Sequence, residues 1–188
     1  MEKILTNKNN IDNNNSKLPK KYMYILYFFI FSCLGWILET LYSFIVLGHF
    51  TNRGFLYGPI CPIYGFGALI LIIFLSKYKN SALKLFTYSA VVFSAFEYFV
   101  SYMLEALFQT YWWDYSNDFF NLNGRISIFY SFAWGIIAII FCGHIYPFFK
   151  KKLNTILSKT PYNLKISILN LLVITWIVDT VISFINYL

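Results

Sequence analysis

Five apolar runs constrain the fold of this chain more than any other feature. Each is long enough, or nearly so, to cross a bilayer as a helix, which takes about 20 apolar residues. They cover residues 22–47, 59–76, 83–108, 126–149 and 166–188. Only 12% of the residues are charged, against about 25% in soluble domains. Because backbone groups in hydrocarbon must be hydrogen-bonded internally, the runs predict an all-α, polytopic membrane bundle of about five transmembrane helices.

The residues before the first run form a polar, asparagine-rich tail. Residues 1–21 hold too few apolar side chains to form a core and are predicted to be a disordered cytoplasmic tail. The run 22–47 exceeds the apolar core of a signal peptide, which spans about 7 to 15 residues. We therefore expect it to remain in the membrane, as part of a single transmembrane domain at 22–188.

Basic residues indicate how the helices are oriented. With the N-terminus inside, thirteen of the fifteen Lys and Arg residues fall in the tail and the two inner connections. The positive-inside rule then predicts a cytoplasmic N-terminus and an external C-terminus. The net charge of +7 reflects topology in this interpretation. The lipid bilayer is the expected partner, and nucleic acid is not.

Four carboxylates interrupt the apolar runs. They are Glu39, Glu97, Glu105 and Asp179. Acids within membrane helices are costly and usually have a partner or a function. In the predicted topology Glu97 lies near the middle of the membrane and the other three lie towards the outer surface, with Glu39 roughly 12 Å below the outer end of its helix.

The only two arginines occupy the outer connections. Arg53 follows Asn52, and Arg125 closes an Asn-Gly turn. A guanidinium suits bidentate pairing with a carboxylate, so both arginines are predicted to turn inward and pair with some of the acids. Helices 1 and 2 form one hairpin, and helices 3 and 4 form another. Each hairpin has glutamate on its outgoing helix and an arginine near its outer turn. Their similarity otherwise is weak, and no internal repeat is predicted.

The third run carries a polar stripe. Ser94, Glu97, Ser101 and Glu105 follow spacings of 3, 4 and 4 residues, which places them on one helix face towards the bundle. Glu97 and Glu105 are then about 12 Å apart. A catalytic pair of acids would therefore need a carboxylate from another helix. The alternative is that the stripe only holds helices together.

The outer connections are the most unusual local sequences. In NRGFLYGPICPIYGFG, a regular helix is not expected before Pro62, and the backbone from Gly58 to Cys61 is predicted to be extended or re-entrant. It could line a site, or it could be a tight turn before a small-residue helix face. In QTYWWDYSNDFFNLNGR, Trp113 and Asp114 could cover the acids or form a cation-binding wall. The alternative is an ordinary interfacial aromatic belt.

Several classes of site lack a sequence signal. There is no G-x-x-x-x-G-K-[ST] phosphate loop and no dinucleotide fingerprint. The three cysteines lack metal-type spacing. We therefore predict no cofactor and no metal, and energy from ATP would require a separate nucleotide-binding subunit.

These strings together resemble a known family. Gly35-Trp36 with Glu39, then NRGFLYGPICPIYG, the acid-bearing third helix, WWDYS and NGRIS are similar to the bacterial membrane family labelled "putative ABC-transporter type IV" (CmpB-like). The resemblance covers about residues 22–145. It implies a small multi-helix permease component of the bacterial cytoplasmic membrane, with a nucleotide-binding partner on the cytoplasmic side.

Three functions are compatible with the sequence. One is a permease-like transport component with an outward-facing site of buried acids and arginines. Another is an intramembrane enzyme that uses a buried carboxylic acid on a lipid or isoprenoid, although an enzymatic role is not favoured. The third is a non-catalytic membrane adaptor. Five helices make a thin bundle, so a homodimer is a further expectation. The candidate pathway residues are Trp36, Glu39, Asn52, Arg53, Glu97, Glu105, Trp113, Asp114, Arg125 and Asp179.

Overall fold

The computed structural model describes residues 18–50 and 53–188, and these form an all-α protein. The helices are α1 (Lys20–Leu47), α2 (Pro62–Ile70), α3 (Ala82–Phe108), α4 (Ile128–Ile140), α5 (Tyr146–Lys159) and α6 (Tyr162–Tyr187). A π-helical turn at Leu71–Leu75 and a 3₁₀ turn at Ser76–Tyr78 extend α2, and a π-helical turn at Phe141–Ile145 joins α4 to α5.

Four of these helical segments are long and apolar enough to cross a membrane. They are Lys20–Leu47, Ala82–Phe108, the continuous Ile128–Lys159, and Tyr162–Tyr187. The shorter apolar helix Pro62–Tyr78 rises about 26 Å at 1.5 Å per residue, a little less than the hydrocarbon thickness of about 30 Å. The prediction of an all-α polytopic membrane protein is confirmed.

The largest difference from the predicted boundaries concerns the fourth run. The sequence predicts an end at residue 149 and a loop at 150–165, but the helix continues to Lys159 and α6 begins at Tyr162. Lysine favours helix, and Leu153, Ile156 and Leu157 continue the helical apolar spacing. Pro161 then disfavours helix at the residue before it, which ends α5.

The core lies where α1, α2, α3 and α4 meet. Apolar contacts are concentrated towards the π-helical turns, and the buried cluster consists of Tyr27, Phe31, Ala68, Leu71, Ile72, Leu75, Leu85, Phe93, Ala138, Phe141 and Cys142. Many other large apolar side chains are exposed, as expected of a surface that faces lipid.

The connection between α3 and α4 folds into a small hairpin. Strands β1 (Asn121–Leu122) and β2 (Ile126–Ser127) pair antiparallel. The turn residues Asn123 and Gly124 both have positive φ, at 53° and 67°, as a tight type I′ turn requires. The hairpin fixes the position of the outer connection above α3 and α4.

Candidate functional site

Glu39 lies on α1 beside the start of α2. The two helices approach closely because glycines line their interface. A Cβ atom on Gly35 would overlap the ring of Tyr64, and one on Gly65 would lie 2.7 Å from the carbonyl oxygen of Phe28. This close packing brings the Tyr64 hydroxyl to Glu39, where it donates a hydrogen bond to Oε1.

A regular helix begins only at Pro62, as predicted, and the backbone before it is non-helical. Cys61 is extended, with φ −111° and ψ 95°, while the Ile60 N–H donates to the Gly58 carbonyl oxygen at 2.7 Å in a tight turn. The Cys61 N–H donates to the carbonyl oxygen of Ser32 on α1 at 3.1 Å. The non-helical segment is therefore tied to the middle of a membrane helix, which satisfies a backbone group that hydrocarbon would leave unpaired.

Asp179 holds the same segment from the other side. Its Oδ1 accepts the N–H of Tyr57 at 3.1 Å, and its Oδ2 accepts the N–H of Gly58 at 2.9 Å. A Cβ on Gly58 would lie only 2.9 Å from Asp179 Oδ2, so the glycine permits this approach. Asp179 thus acts as a structural clamp between α6 and residues 53–61.

Glu97 is the most enclosed of the four acids. It is 6% exposed. Oε1 accepts a hydrogen bond from the Tyr115 hydroxyl at 2.9 Å, and Oε2 accepts one from Trp134 Nε1 at 2.9 Å. Neither Glu97 nor Glu39 forms an ion pair with a Lys or Arg in the part of the chain that the structure describes.

The outer hairpin is what brings Tyr115 to Glu97. The Tyr115 N–H donates to the Gly124 carbonyl oxygen at 2.7 Å. A Cβ on Gly124 would lie 2.5 Å from Ser116 Oγ and 2.6 Å from Asp114 Oδ1, so only glycine fits. Burial, together with the charge of Glu97, raises the pKa of Tyr115 above its ordinary value. Tyr115 therefore remains a neutral hydrogen-bond donor.

Trp113 and Asp114 stabilise this connection. Trp113 Nε1 donates to the Arg125 carbonyl oxygen at 3.1 Å. Asp114 Oδ1 accepts from the Ser116 hydroxyl at 2.5 Å and from the Ser116 N–H at 2.8 Å, which holds the pKa of Asp114 below its usual range. The hydrogen bonds of both residues therefore shape the loop, and Tyr115 is the residue of this connection that donates to Glu97.

Arg125 and Glu105 form an ion pair at the outer end of α3. The Arg125 guanidinium also lies 5.6 Å from the ring centroids of both Tyr98 and Tyr102. The Tyr111 hydroxyl donates to Glu105, and this hydrogen bond is the main cause that raises the pKa of Tyr111. The predicted arginine–carboxylate pairing is therefore present for Arg125.

Arg53 does not follow that prediction. Its side chain is partly buried, and Nε has no hydrogen-bond partner. It forms no ion pair within residues 18–50 and 53–188. The sequence predicts a carboxylate partner, but Glu39 and Asp179 accept hydrogen bonds from Tyr64 and from backbone N–H groups. Asn52 lies outside the described residues, and Trp36 lies on α1 one turn before Glu39.

Glu39 and Glu97 form a group with the two tyrosines that donate to them, Tyr64 and Tyr115. The Tyr115 ring also stacks on Tyr130, with ring centroids 4.2 Å apart. The other two acids have different partners, since Glu105 pairs with Arg125 and Asp179 accepts backbone N–H groups.

An apolar cavity of about 440 Å³ lies beside this group. Its wall combines the segment before α2, one face of α3 and the tryptophans of the outer connection: Gly54, Phe55, Cys61, Pro62, Ile63, Phe66, Phe96, Phe99, Val100, Leu104, Trp112 and Trp113. Its lining has almost no polar surface, and neither glutamate contributes to it.

Comparison with known proteins identifies the family. The family model described as "Putative ABC-transporter type IV" matches residues 26–184, which is most of the chain. The chain belongs to this family. The comparison with curated proteins found no match, and the comparison with solved structures found none either. Membership and the apolar helices make it a multi-pass membrane protein related to transport.

The sequence did not predict which aromatic residues of this type IV family member donate hydrogen bonds to the glutamates. They are Tyr64, Tyr115 and Trp134. Tyr64 stands in the family-like string CPIYG and Tyr115 in WWDYS, but Trp134 lies in a plain apolar run. No group of three or more His, Cys, Asp or Glu side chains within the described ranges could hold a metal ion.

Proposed function

We propose that this protein is a small permease-like transport component of the bacterial cytoplasmic membrane, with a pathway that passes Glu39 and Glu97 and opens outward. The observation that carries the proposal is Glu97 itself. It is a buried carboxylate whose two oxygens accept hydrogen bonds from neutral donors, Tyr115 and Trp134, with no cationic partner among the described residues. A membrane carboxylate without a cationic partner provides a favourable position for a proton or a transported cation.

The other two acids support this assignment by exclusion. Glu105 is paired with Arg125, and Asp179 accepts two backbone N–H groups. Both carboxylates therefore have structural partners that account for their presence. The charge available to a transported species is concentrated on Glu39 and Glu97.

Proton flux into proteoliposomes provides the direct test. The purified chain would be reconstituted with a pH-sensitive dye inside the vesicles and then exposed to an imposed pH gradient. We expect dye-reported flux through the wild type and its loss in Glu97→Gln. Glu105→Gln is the matched control, because it neutralises an acid on the same helix that is already paired. Flux through Glu97→Gln equal to that of the wild type would refute the role of Glu97.

The orientation proposed for this pathway has the N-terminus inside. It rests on the distribution of lysines along the sequence. Phe119 in the outer connection is 80% exposed, and Asn80 lies in the exposed connection between α2 and α3. In intact cells, a membrane-impermeant thiol reagent should label Phe119→Cys but not Asn80→Cys. The reverse pattern would invert the topology.

A separate nucleotide-binding subunit is the proposed energy source, in keeping with the family description. Its docking surface would be α5, which carries Lys150, Lys151 and Lys152 on the proposed cytoplasmic side. An acidic surface on an ATPase would complement this helix. ATP-dependent flux in membranes containing both proteins should fall when the three lysines are replaced by glutamate, and flux that is independent of ATP would exclude this partner.

The apolar cavity favours a second candidate, an intramembrane enzyme acting on a lipid or isoprenoid. Its volume of about 440 Å³ and its aromatic walls suit a hydrocarbon chain. This candidate predicts a changed lipid or isoprenoid profile in cells that overproduce the wild type but not Glu97→Gln. Identical lipid extracts, with both proteins present in the membrane, would exclude it.

A further inference from the structure

The outgoing helices of the two helical hairpins, α1 and α3, carry the same pattern of buried residues. An offset of 58 residues pairs Phe28 with Phe86 and Glu39 with Glu97. With this offset, every other buried residue of α3 up to Ser101 has a buried counterpart on α1. The buried pairs are Tyr27 and Leu85, Phe31 and Ser89, Gly35 and Phe93, and Ser43 and Ser101. The two helices therefore turn the same face into the bundle.

The returning helices, α2 and α4, correspond with an offset of 70 residues, which pairs Gly65 with Gly135. Each glycine packs against the matched phenylalanine of its own hairpin. A Cβ on Gly65 would lie 2.7 Å from Phe28 Cδ2, and one on Gly135 would lie 2.5 Å from Phe86 Cδ2. The same contact thus sets the approach of the two helices in both hairpins.

The residues around these glycines correspond as well. The residue before each glycine, Tyr64 or Trp134, donates a hydrogen bond to the glutamate of its own hairpin. Three residues after each glycine a buried alanine follows, Ala68 or Ala138. Three residues further on, a π-helical turn begins in both helices. The π-helix is rare in proteins, so its occurrence at the same place in both hairpins is difficult to attribute to composition.

The two hairpins differ mainly in their outer connections. The offset is twelve residues larger for the returning helices, and the twelve extra residues fall in the connection that contains the outer β-hairpin. That connection supplies Tyr115, a second donor to Glu97. Most matched positions also hold different side chains. The repetition lies in spacing, burial and contacts, which explains why the sequence alone predicts no repeat.

We propose that the two hairpins are copies of one structural unit and that each contains a half-site of the proposed pathway. The half-site of the first unit is Glu39 with its donor Tyr64, and that of the second is Glu97 with its donor Trp134. The biological meaning of these half-sites rests on the proposed transport function. In transporters built from repeats, substrate and coupling-ion sites lie where the repeats meet.

The two half-sites have the same chemistry. Each is a membrane carboxyl group that accepts a hydrogen bond from a neutral aromatic donor. Within residues 18–50 and 53–188, no Lys or Arg forms an ion pair with either glutamate. A proton or a transported cation can therefore bind at each carboxylate without displacing a fixed positive charge. The pathway then has two equivalent binding positions, and Glu39 is as necessary as Glu97.

Spin-label distances in the purified full chain test the structural equivalence, with the native cysteines replaced by alanine. Labels at Leu41→Cys and Phe74→Cys lie across the first hairpin, and their counterparts at Phe99→Cys and His144→Cys lie across the second. All four positions are exposed, and each pair includes the π-helical turn. We expect double electron–electron resonance to give overlapping distance distributions for the two pairs. Distributions with separate maxima would overturn the equivalence.

A control pair shows that the measurement resolves a shift of one helical turn. Ile140 is also exposed and lies four residues before His144. Four residues of helix span about 6 Å at 1.5 Å per residue. Labels at Phe99→Cys and Ile140→Cys should therefore give a distribution displaced from that of the matched pair. A first-hairpin distribution that agrees with this control pair and not with the matched pair would refute the proposed correspondence.

Proton flux in proteoliposomes tests whether the two half-sites are functionally equivalent. We expect Glu39→Gln to lose flux to the same extent as Glu97→Gln, whereas Glu105→Gln retains it because Glu105 is already paired with Arg125. Flux that is lost in Glu97→Gln but unchanged in Glu39→Gln would overturn the second half-site and with it the functional equivalence of the units.

The aromatic donors act as positioning residues in this proposal, because each holds the carboxyl group of its own unit. Tyr64→Phe and Trp134→Phe should both reduce flux. Trp134→Tyr copies the donor of the first unit and should retain more flux than Trp134→Phe. Tyr111→Phe is the matched control, since Tyr111 donates to the paired acid Glu105, and it should leave flux unchanged. Equal flux through Trp134→Tyr and Trp134→Phe would contradict the equivalence of the donors.

The distance measurement does not depend on transport. Matching distances without any flux through the wild type would refute the proposed function and leave the two structural units in place. Separate distances, together with flux that requires Glu97, would support the proposed function and refute the repeat.

Discussion

The substitution Gly65→Ala tests the helix packing that brings Tyr64 to Glu39. A Cβ at this position would lie 2.7 Å from both the Phe28 carbonyl oxygen and Phe28 Cδ2, and it would also overlap Ser32 Oγ. The serine and phenylalanine side chains can rotate away. The carbonyl oxygen belongs to the backbone of α1, so relief at that contact requires α1 and α2 to separate.

The required separation sets the size of the effect. The carbonyl oxygen must move back by about 0.7 Å to reach ordinary contact at 3.4 Å. A gap of about 0.5 to 1 Å loses a quarter to a half of the dispersion energy of each atom pair across it. Overpacked sites generally cost about 1 to 3 kcal/mol. We expect Gly65→Ala to fall in the upper part of that range, with a loss of about 2 to 3 kcal/mol in the free energy of unfolding.

Reversible unfolding in SDS micelles, followed by tryptophan fluorescence, would measure this loss. Gly143→Ala is the matched control, because a Cβ there meets no heavy atom within 4 Å. It should leave stability unchanged or raise it by up to about 1 kcal/mol, because alanine favours helix more than glycine does. Gly135→Ala should lie between the two, since its contacts are with the movable ring of Phe86. A loss for Gly65→Ala no larger than that for Gly143→Ala would refute the packing argument.

Three further predictions concern the outer segments. Gly124→Ala should destabilise the outer hairpin by about 1 to 3 kcal/mol, because φ is +67° and the new Cβ would crowd Ser116; faster amide exchange across 109–127 would show it, and unchanged exchange would contradict it. Asp114 has a lowered pKa. Its stabilisation of the hairpin is therefore complete above the unfolded pKa of about 3.9 and is lost as the pH falls through the lower pKa of the folded state. Amide exchange of the hairpin should become faster over this acid range in the wild type but not in Asp114→Asn, and the same pH dependence in both proteins would refute the prediction. Asp179→Asn removes one acceptor and should cost about 1 to 3 kcal/mol, with faster exchange at Gly58 but not in the outer hairpin; equal acceleration in both places would indicate global unfolding instead.

The sequence predicted the helices and the buried face of α3 well. Hydrocarbon permits few backbone structures, so apolar length alone identified the membrane helices. Helical spacing also placed Glu97 and Ser101 on a buried face, and both side chains are buried. Pro62 marked the start of α2 correctly, because proline lacks an N–H and fits the first helical turn.

The sequence could not predict which partner each acid has. Arginine and carboxylate complementarity suggested a partner for both arginines, but only Arg125 has one among the described residues. Glu97 instead binds Trp134, which is 37 residues away in the chain, and Tyr115 from the outer connection. Such contacts depend on the relative rotation of two helices and on the fold of a loop. A single sequence contains no periodic signal for either.

The difference between the two helical hairpins explains why α6 carries an acid. The second hairpin has a long outer connection, in which Asp114 accepts the Ser116 N–H. The first hairpin has a shorter connection, and its Tyr57 and Gly58 N–H groups bond to Asp179 of α6. One carboxylate therefore satisfies backbone N–H groups in each outer connection, and for the first hairpin a separate helix supplies it. Glu105 is paired with Arg125. Among the described residues, Glu39 and Glu97 are then the helix acids whose placement neither an arginine nor a backbone N–H group explains.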